Sequence, residues 1–155
     1  MKTFYLKSLG CKQNQLEGQI IEDELIGSGY MSVSSPEEAD IYILNSCTVT
    51  SSSDSTANYL LNQAKRMNPN IKTVLTGCIA QTYKQHKDFN FLNADLIIGN
   101  SEKINIVKYL DKFNFHVKDI FEVKTFENKF LINPNTTRVS IKIQDGKFPR
   151  NSHLR

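Results

Sequence analysis

Apolar residues along the first two thirds of the chain alternate between two spacings. Short runs at Thr3 to Leu9, Ile41 to Leu44, Ile71 to Leu75 and Asp95 to Ile98 have the length of strands. The run Ile41-Tyr42-Ile43-Leu44 is unbroken, which marks a strand buried on both faces. Between the runs, Leu16, Ile20, Ile21, Leu25 and Ile26 recur on one helical face until Gly27 and Gly29 stop it. Ala57, Leu60, Leu61, Ala64 and Met67 repeat the pattern after the capping side chains Ser51 to Asp54 and before Pro69. Pro36 to Asp40 reads as a connection, Ile79 to about Lys87 as a helix, and Ser101 as the cap of a helix through Leu110. The succession βαβαβαβα predicts an α/β fold: an open parallel sheet with helices on both faces, a three-layer flavodoxin-like or Rossmann-like arrangement, followed by a short partial strand region.

Past Leu110 the pattern weakens. Phe113 to Asn135 mixes aromatics, charges and turn residues, and Asn133-Pro134-Asn135 marks a loop. Val139, Ile141 and Ile143 then alternate with Ser140, Lys142 and Gln144, as in a half-buried strand that stops at Asp145-Gly146. The expected division is a domain at 1–112, a linker or edge region at 113–136, a strand region at 137–146 and a polar, basic tail at 147–155.

With 155 residues the chain suits one domain with a substantial core. Its 19 basic and 16 acidic residues give no strong electrostatic footprint for a polyanion. The first residues carry no secretory apolar core, and no run approaches the ~20 residues of a membrane span. The expectation is a cytoplasmic monomer without a membrane partner. A reducing compartment and an odd count of three cysteines argue against disulfides. Buried apolar cysteines and metal ligands remain.

Cys11, Cys47 and Cys78 each follow the end of an apolar run. In an open parallel sheet the carboxyl ends of the strands share one edge, where ligands bind. Thiols leaving neighbouring strands would meet there, and Gly10 and Gly77 would let the backbone come close to a bulky inorganic group. Thiolates select iron-sulfur clusters, zinc or copper(I), and three protein ligands leave one coordination position open. The spacing contains no local CxxC pair, so idle core or loop cysteines stand as the alternative. His86, His116 and His153, in polar surroundings, read as surface residues rather than a fourth ligand. Asn14 and Asn45 either donate to sulfur or cap turns. Lys12, Lys65, Arg66 and Lys72 are RNA contacts only if they share a face with the cysteine edge, and otherwise are solvated.

The local motifs resemble the tRNA methylthiotransferase family of radical S-adenosylmethionine enzymes. The residues that carry the resemblance are Leu9-Gly10-Cys11-Lys12-Gln13-Asn14-Gln15, the stretch Ala39 to Thr50 around Asn45-Ser46-Cys47-Thr48-Val49-Thr50, and Thr76-Gly77-Cys78-Ile79-Ala80-Gln81. Gly-Cys-Lys and Cys-Thr-Val-Thr look like the branch that acts on threonylcarbamoyladenosine. The resemblance implies that Cys11, Cys47 and Cys78 bind an auxiliary [4Fe-4S] cluster in an amino-terminal domain at 1–112. It implies a parent activity that adds a methylthio group to C2 of N6-threonylcarbamoyladenosine in tRNA.

Residues 137–146 look like the family's strand leading into the radical domain, where a CxxxCxxC motif should follow. The sequence instead continues with Lys147 to Arg155, and no cysteine follows Cys78. The expectation is therefore a fragment, truncated before the radical motif, that holds the auxiliary cluster only. No catalytic residue is assigned, and neither S-adenosylmethionine nor a second [4Fe-4S] cluster is expected to bind. Contact with tRNA is expected to be weak or absent, and the chain alone to be catalytically inactive. The competing expectation is a small metal- or partner-binding flavodoxin-like module without enzymatic activity.

Overall fold

Burial on both faces accounts for the unbroken apolar run at the centre of the sequence. In the computed structural model, which describes residues 1–47, 53–83 and 92–118, every residue of the strand Ile41–Ser46 is buried. The elements in chain order are β1 (Thr3–Ser8), α1 (Lys12–Gly27), β2 (Met31–Ser32), a 3-10 turn (Pro36–Glu38), β3 (Ile41–Ser46), α2 (Ser53–Met67), β4 (Lys72–Gly77), α3 (Cys78–Tyr83), β5 (Leu96–Ile98), a 3-10 segment (Lys103–Tyr109) and β6 (Asn114–His116). The strands form one sheet in the order β2-β1-β3-β4-β5-β6, with every neighbouring pair parallel. This is the open α/β, flavodoxin-like architecture expected from the pattern. The order turns back between β1 and β3, because the chain builds outward to β2 and then returns to add strands on the other side.

Helices cover both faces. Ile41 and Ile43 of β3 point into a core with Ile21 and Leu25 of α1 and with Ile106 and Leu110 of the 3-10 segment and its end. Tyr42 and Leu44 point the other way, against Ala57, Leu61 and Ala64 of α2 and Ile79 and Ala80 of α3. The period-2 alternation of a strand sorts successive residues onto opposite faces, and both being apolar is what demands two helical layers. Beside the apolar contacts, α1 is held to the 3-10 segment by an ion pair between Glu17 and Lys103, whose side chains are 9% and 3% exposed. Lys103 also donates to Asn100 Oδ1 at 2.9 Å. Loss of the Glu17 carboxylate would leave the Lys103 ammonium buried without its counter-charge, at a cost of about 3–5 kcal/mol.

The structure departs from the sequence pattern at the sheet's margins. β2 and β6 had no apolar signature: β2 is Met31–Ser32, exposed at both positions, and β6 reads Asn-Phe-His. Outer strands need only one covered neighbour, so they carry little hydrophobic periodicity. The helix expected from Ser101 is a 3-10 segment that begins after Glu102 and kinks at Asn105. The later part of the helix expected at Ile79 to Lys87, the loop at Asn133 to Asn135, the strand at Val139 to Ile143 and the tail at 147–155 lie outside the described residues. Among the described residues no helix is long and apolar enough to cross a membrane.

At the amino-terminal edge of the sheet, the same clamp occurs twice. Asp40, just before β3, accepts from the Thr3 amide at 2.7 Å and the Thr3 hydroxyl at 3.0 Å. Asp95, just before β5, accepts from the Thr73 amide and hydroxyl, each at 2.8 Å, and from Lys65 at 2.9 Å. The Thr3 backbone bond, followed by its hydroxyl bond, holds the Asp40 carboxyl below the usual aspartate range. Burial pushes Asp95 upward, but the bonds from Thr73 and Lys65 outweigh it and the net direction is again downward. A carboxyl with a depressed folded pKa stabilises the fold above its unfolded pKa of about 3.9, and that contribution fades as pH falls through the folded value. Asp95→Asn is expected to cost about 1–2 kcal/mol near neutrality and to shrink the further loss of stability between about pH 5 and about pH 2. Thermal unfolding across that range checks it; equal acid slopes in the two proteins would remove Asp95 as a source of the acid sensitivity.

Candidate metal centre

β1, β3 and β4 are consecutive neighbours in the sheet, and each carries one cysteine just past its carboxyl end. Cys11 is the N-cap of α1, in extended conformation (φ −74°, ψ 165°) and without a side-chain cap bond. Cys47 directly follows β3, and Cys78 opens α3 directly after β4. Ser46 is registered opposite Gly77, so Cys47 and Cys78 leave the sheet side by side. On the other flank the Leu9 amide donates to the Asn45 carbonyl at 2.9 Å, extending the β1–β3 ladder to within two residues of Cys11. The junction of β1 and β3 is also where the strand order turns back, the position at which open parallel sheets bind ligands. Cys11 is exposed, Cys47 buried and Cys78 intermediate, and none forms a disulfide.

The glycines before two of the cysteines meet a real geometric demand. Gly10 has φ +88°, and a Cβ there would overlap the Cβ and Sγ of Cys47. Gly77 has φ +92°, and a Cβ there would overlap the Ser46 carbonyl oxygen and come within 2.9 Å of Asn45 Oδ1. The thiol of Cys47 thus lies against the backbone that delivers Cys11. The two asparagines, expected to bond to sulfur or to cap turns, both donate to main-chain oxygens. Asn14 Nδ2 reaches the carbonyls of Leu9, Asn45 and Ser46, and Asn45 Nδ2 reaches the carbonyl of Asn14 at 2.7 Å. Ser46 Oγ donates to the Thr76 carbonyl at 2.6 Å, joining β4 to the same set.

Two buried polar atoms at this edge, Asn45 Oδ1 and Thr76 Oγ1, have no hydrogen-bond partner among the described residues. Such groups are rare in native interiors and mark places where a further group completes the set. Thr76 entered the sequence reading only as part of the motif before Cys78; a polar residue after Val74-Leu75 in a buried strand is the signal that could have marked it by itself. Glu17 gave a similar signal, lying with Asn14 on the buried face of α1.

The donor set suits a soft metal or an iron-sulfur cluster, with three thiols and no competing disulfide. The side chains are not gathered, however: among the described residues no group of three His, Cys, Asp or Glu side chains is arranged to hold a metal ion. His116, expected on the surface, is half-buried in β6 with its ring 5.4 Å from that of Tyr109. His86 and His153 lie outside the described residues. Of the basic residues considered for RNA, Lys12 begins α1 at the cysteine edge. Lys65 and Arg66 end α2, and Lys72 begins β4 at the opposite edge, where its amine lies 4.0 Å from the centre of the Phe113 ring.

Residues 3–99, from β1 through the end of β5, match the family described as "Uncharacterized protein family UPF0004". The chain belongs to this family. Its members with curated names include the threonylcarbamoyladenosine tRNA methylthiotransferase MtaB of Aquifex aeolicus, 33% identical over 90% of this chain and 36% of that protein. The MtaB of Chlamydia pneumoniae is also 33% identical, over 93% of this chain and 32% of its own length. A ribosomal protein uS12 methylthiotransferase RimO, from Treponema denticola, is 29% identical over 94% of this chain and 31% of its length. The chain spans about a third of the length of the curated relatives it matches. The family match covers all three cysteines.

Gly10→Ala and Gly77→Ala should each lower stability by about 1–3 kcal/mol, because a side chain at positive φ is strained and here also collides with the neighbouring strand end. Gly27→Ala, at the end of α1 with nothing within 4 Å of its Cβ, should be neutral or stabilising by up to about 1 kcal/mol. Chemical denaturation of the three variants tests the contrast; a Gly10→Ala protein as stable as the parent would contradict the close approach of Cys47.

Proposed function

We propose that this chain is the cluster-binding part of a tRNA methylthiotransferase, and that Cys11, Cys47 and Cys78 hold an auxiliary [4Fe-4S] cluster. The observation that carries the reading is the exit of three thiols from three neighbouring parallel strands, at the turn-back of the strand order. When bound, a cluster with three protein thiolates keeps one iron open to carry the sulfur or methylthio group to be transferred. The chain's own residues supply the surroundings. Cys47, buried after β3, Cys11, exposed at the head of α1, and Cys78, at the start of α3, would be the three ligands. Gly10 and Gly77 keep the approach clear of side chains.

The reaction we assign to the whole protein is methylthiolation at C2 of N6-threonylcarbamoyladenosine in tRNA. Support comes from the names of the relatives, among which two threonylcarbamoyladenosine enzymes are 33% identical and a ribosomal-protein enzyme 29%. In this reading residues 1–112 are the cluster-binding unit. All three cysteines of the sequence are committed to the auxiliary site. Reductive cleavage of S-adenosylmethionine would call on thiolates other than these three.

Anaerobic reconstitution with iron and sulfide should load about four irons per chain, with the broad visible absorption of a [4Fe-4S] cluster, and Cys→Ser at position 11, 47 or 78 should abolish it. Given S-adenosylmethionine and a reductant, the loaded chain should release no 5'-deoxyadenosine. Stoichiometric zinc without iron, or full iron loading in a cysteine variant, would overturn the cluster assignment.

A further inference from the structure

We propose that Asn14 is the positioning residue that fixes Cys11 and Cys47 relative to each other, an inference that rests on reading these cysteines as ligands. The Asn14 amide nitrogen carries two protons and faces three carbonyl oxygens: Leu9 at 2.8 Å, Ser46 at 2.9 Å and Asn45 at 3.0 Å. All three are acceptors, so the nitrogen rather than the oxygen must point toward them. Leu9 stands two residues before Cys11, and Asn45 and Ser46 stand immediately before Cys47. One side chain thus ties the exit of β1 to the exit of β3.

The return bond from Asn45 Nδ2 to the Asn14 carbonyl closes the clasp. Both asparagines are buried, 2% and 0% exposed, so water does not compete for these bonds. Asn14 lies in the first turn of α1 and Cys11 is that helix's N-cap, with the Gln15 amide donating to the Cys11 carbonyl at 3.1 Å. Fixing Asn14 therefore fixes Cys11, while its bonds to Asn45 and Ser46 fix the peptide that carries Cys47. The clasp demands donors. Aspartate has the same shape but offers only oxygen lone pairs to three carbonyls.

The test uses the full chain with Cys78→Ser, leaving one exposed and one buried thiol whose reactions with dithionitrobenzoate separate into a fast and a slow phase. Modification of buried Cys47 reports local opening of the clasp. Asn14→Asp should speed the slow phase about tenfold, because the carbonyls of Leu9, Asn45 and Ser46 lose the Asn14 donor and Asn45 keeps the Leu9 amide. Asp95→Asn, which weakens the opposite edge of the sheet, should change it less than about twofold when compared at an equal margin below the melting temperature. If both variants speed it equally, Asn14 supports only global stability and the proposal fails. Should Asn14→Asp not fold, Asn45→Ala removes the return bond, together with the long bond to Ser8 Oγ, while leaving the Asn14 donor in place, and must show the same selectivity to a smaller degree, or the proposal fails. Iron loading of the otherwise native chain is measured in parallel, and Asn14→Asp should take up less iron than the parent. A parent that binds no iron refutes the ligand reading, while the thiol rates still decide whether Asn14 couples the two cysteines.

Discussion

Burial of β3 along its whole length is the constraint on which the rest depends. A strand with both faces covered and both edges paired can serve only as the centre of a sheet, and its apolar residues on alternate sides require a helical layer on each. α1 satisfies one face and α2 with α3 the other. Because the helices connect parallel strands, every strand ends at the same edge, and the residue after each strand lands beside its neighbours. The cysteine edge is thus a consequence of how β3 is buried, not of any local pairing between cysteines.

The two edges of the sheet are finished by different chemistry. At the amino-terminal edge, Asp40 and Asp95 grip Thr3 and Thr73 by charge-assisted bonds that join neighbouring strands. At the carboxyl edge the bonds are neutral, made by Asn14, Asn45 and Ser46 to main-chain carbonyls. Neutral donors leave no fixed negative charge beside thiolates that would already carry several when metal is bound. The buried carboxylates on this side, Glu17 and Glu102, lie toward the segment after β5 and are paired with Lys103 and Lys118.

Strands whose both faces are covered were legible in the sequence because their apolar runs are continuous: β5 lies within its run, while β3 and β4 overlap theirs and continue two residues past the carboxyl end. The edge strands β2 and β6 were not, since half-covered backbone pairing needs no apolar side chains. The helix expected from Ser101 is a kinked 3-10 segment, with Ile106 packed into the core beside Ile98 and Ile43. The three cysteines were found from their place at strand ends, and Asn14 only as a neighbour of one of them. Its role was hidden because hydrogen bonds to carbonyls thirty-one and thirty-two residues away leave no trace in local spacing.

The sequence by itself determined the layer architecture, the parallel sheet and which residues stand at strand ends, because each follows from periodicity and run length along the chain. Only the tertiary structure decided the strand order, and so made β1, β3 and β4 neighbours. It also decided that Asn14 faces carbonyls rather than sulfur, that Gly10 makes room for Cys47, and that Glu17 meets Lys103. Those are contacts between segments far apart in sequence, and which segments meet is fixed by how the whole chain closes around β3, not by any residue's immediate neighbours.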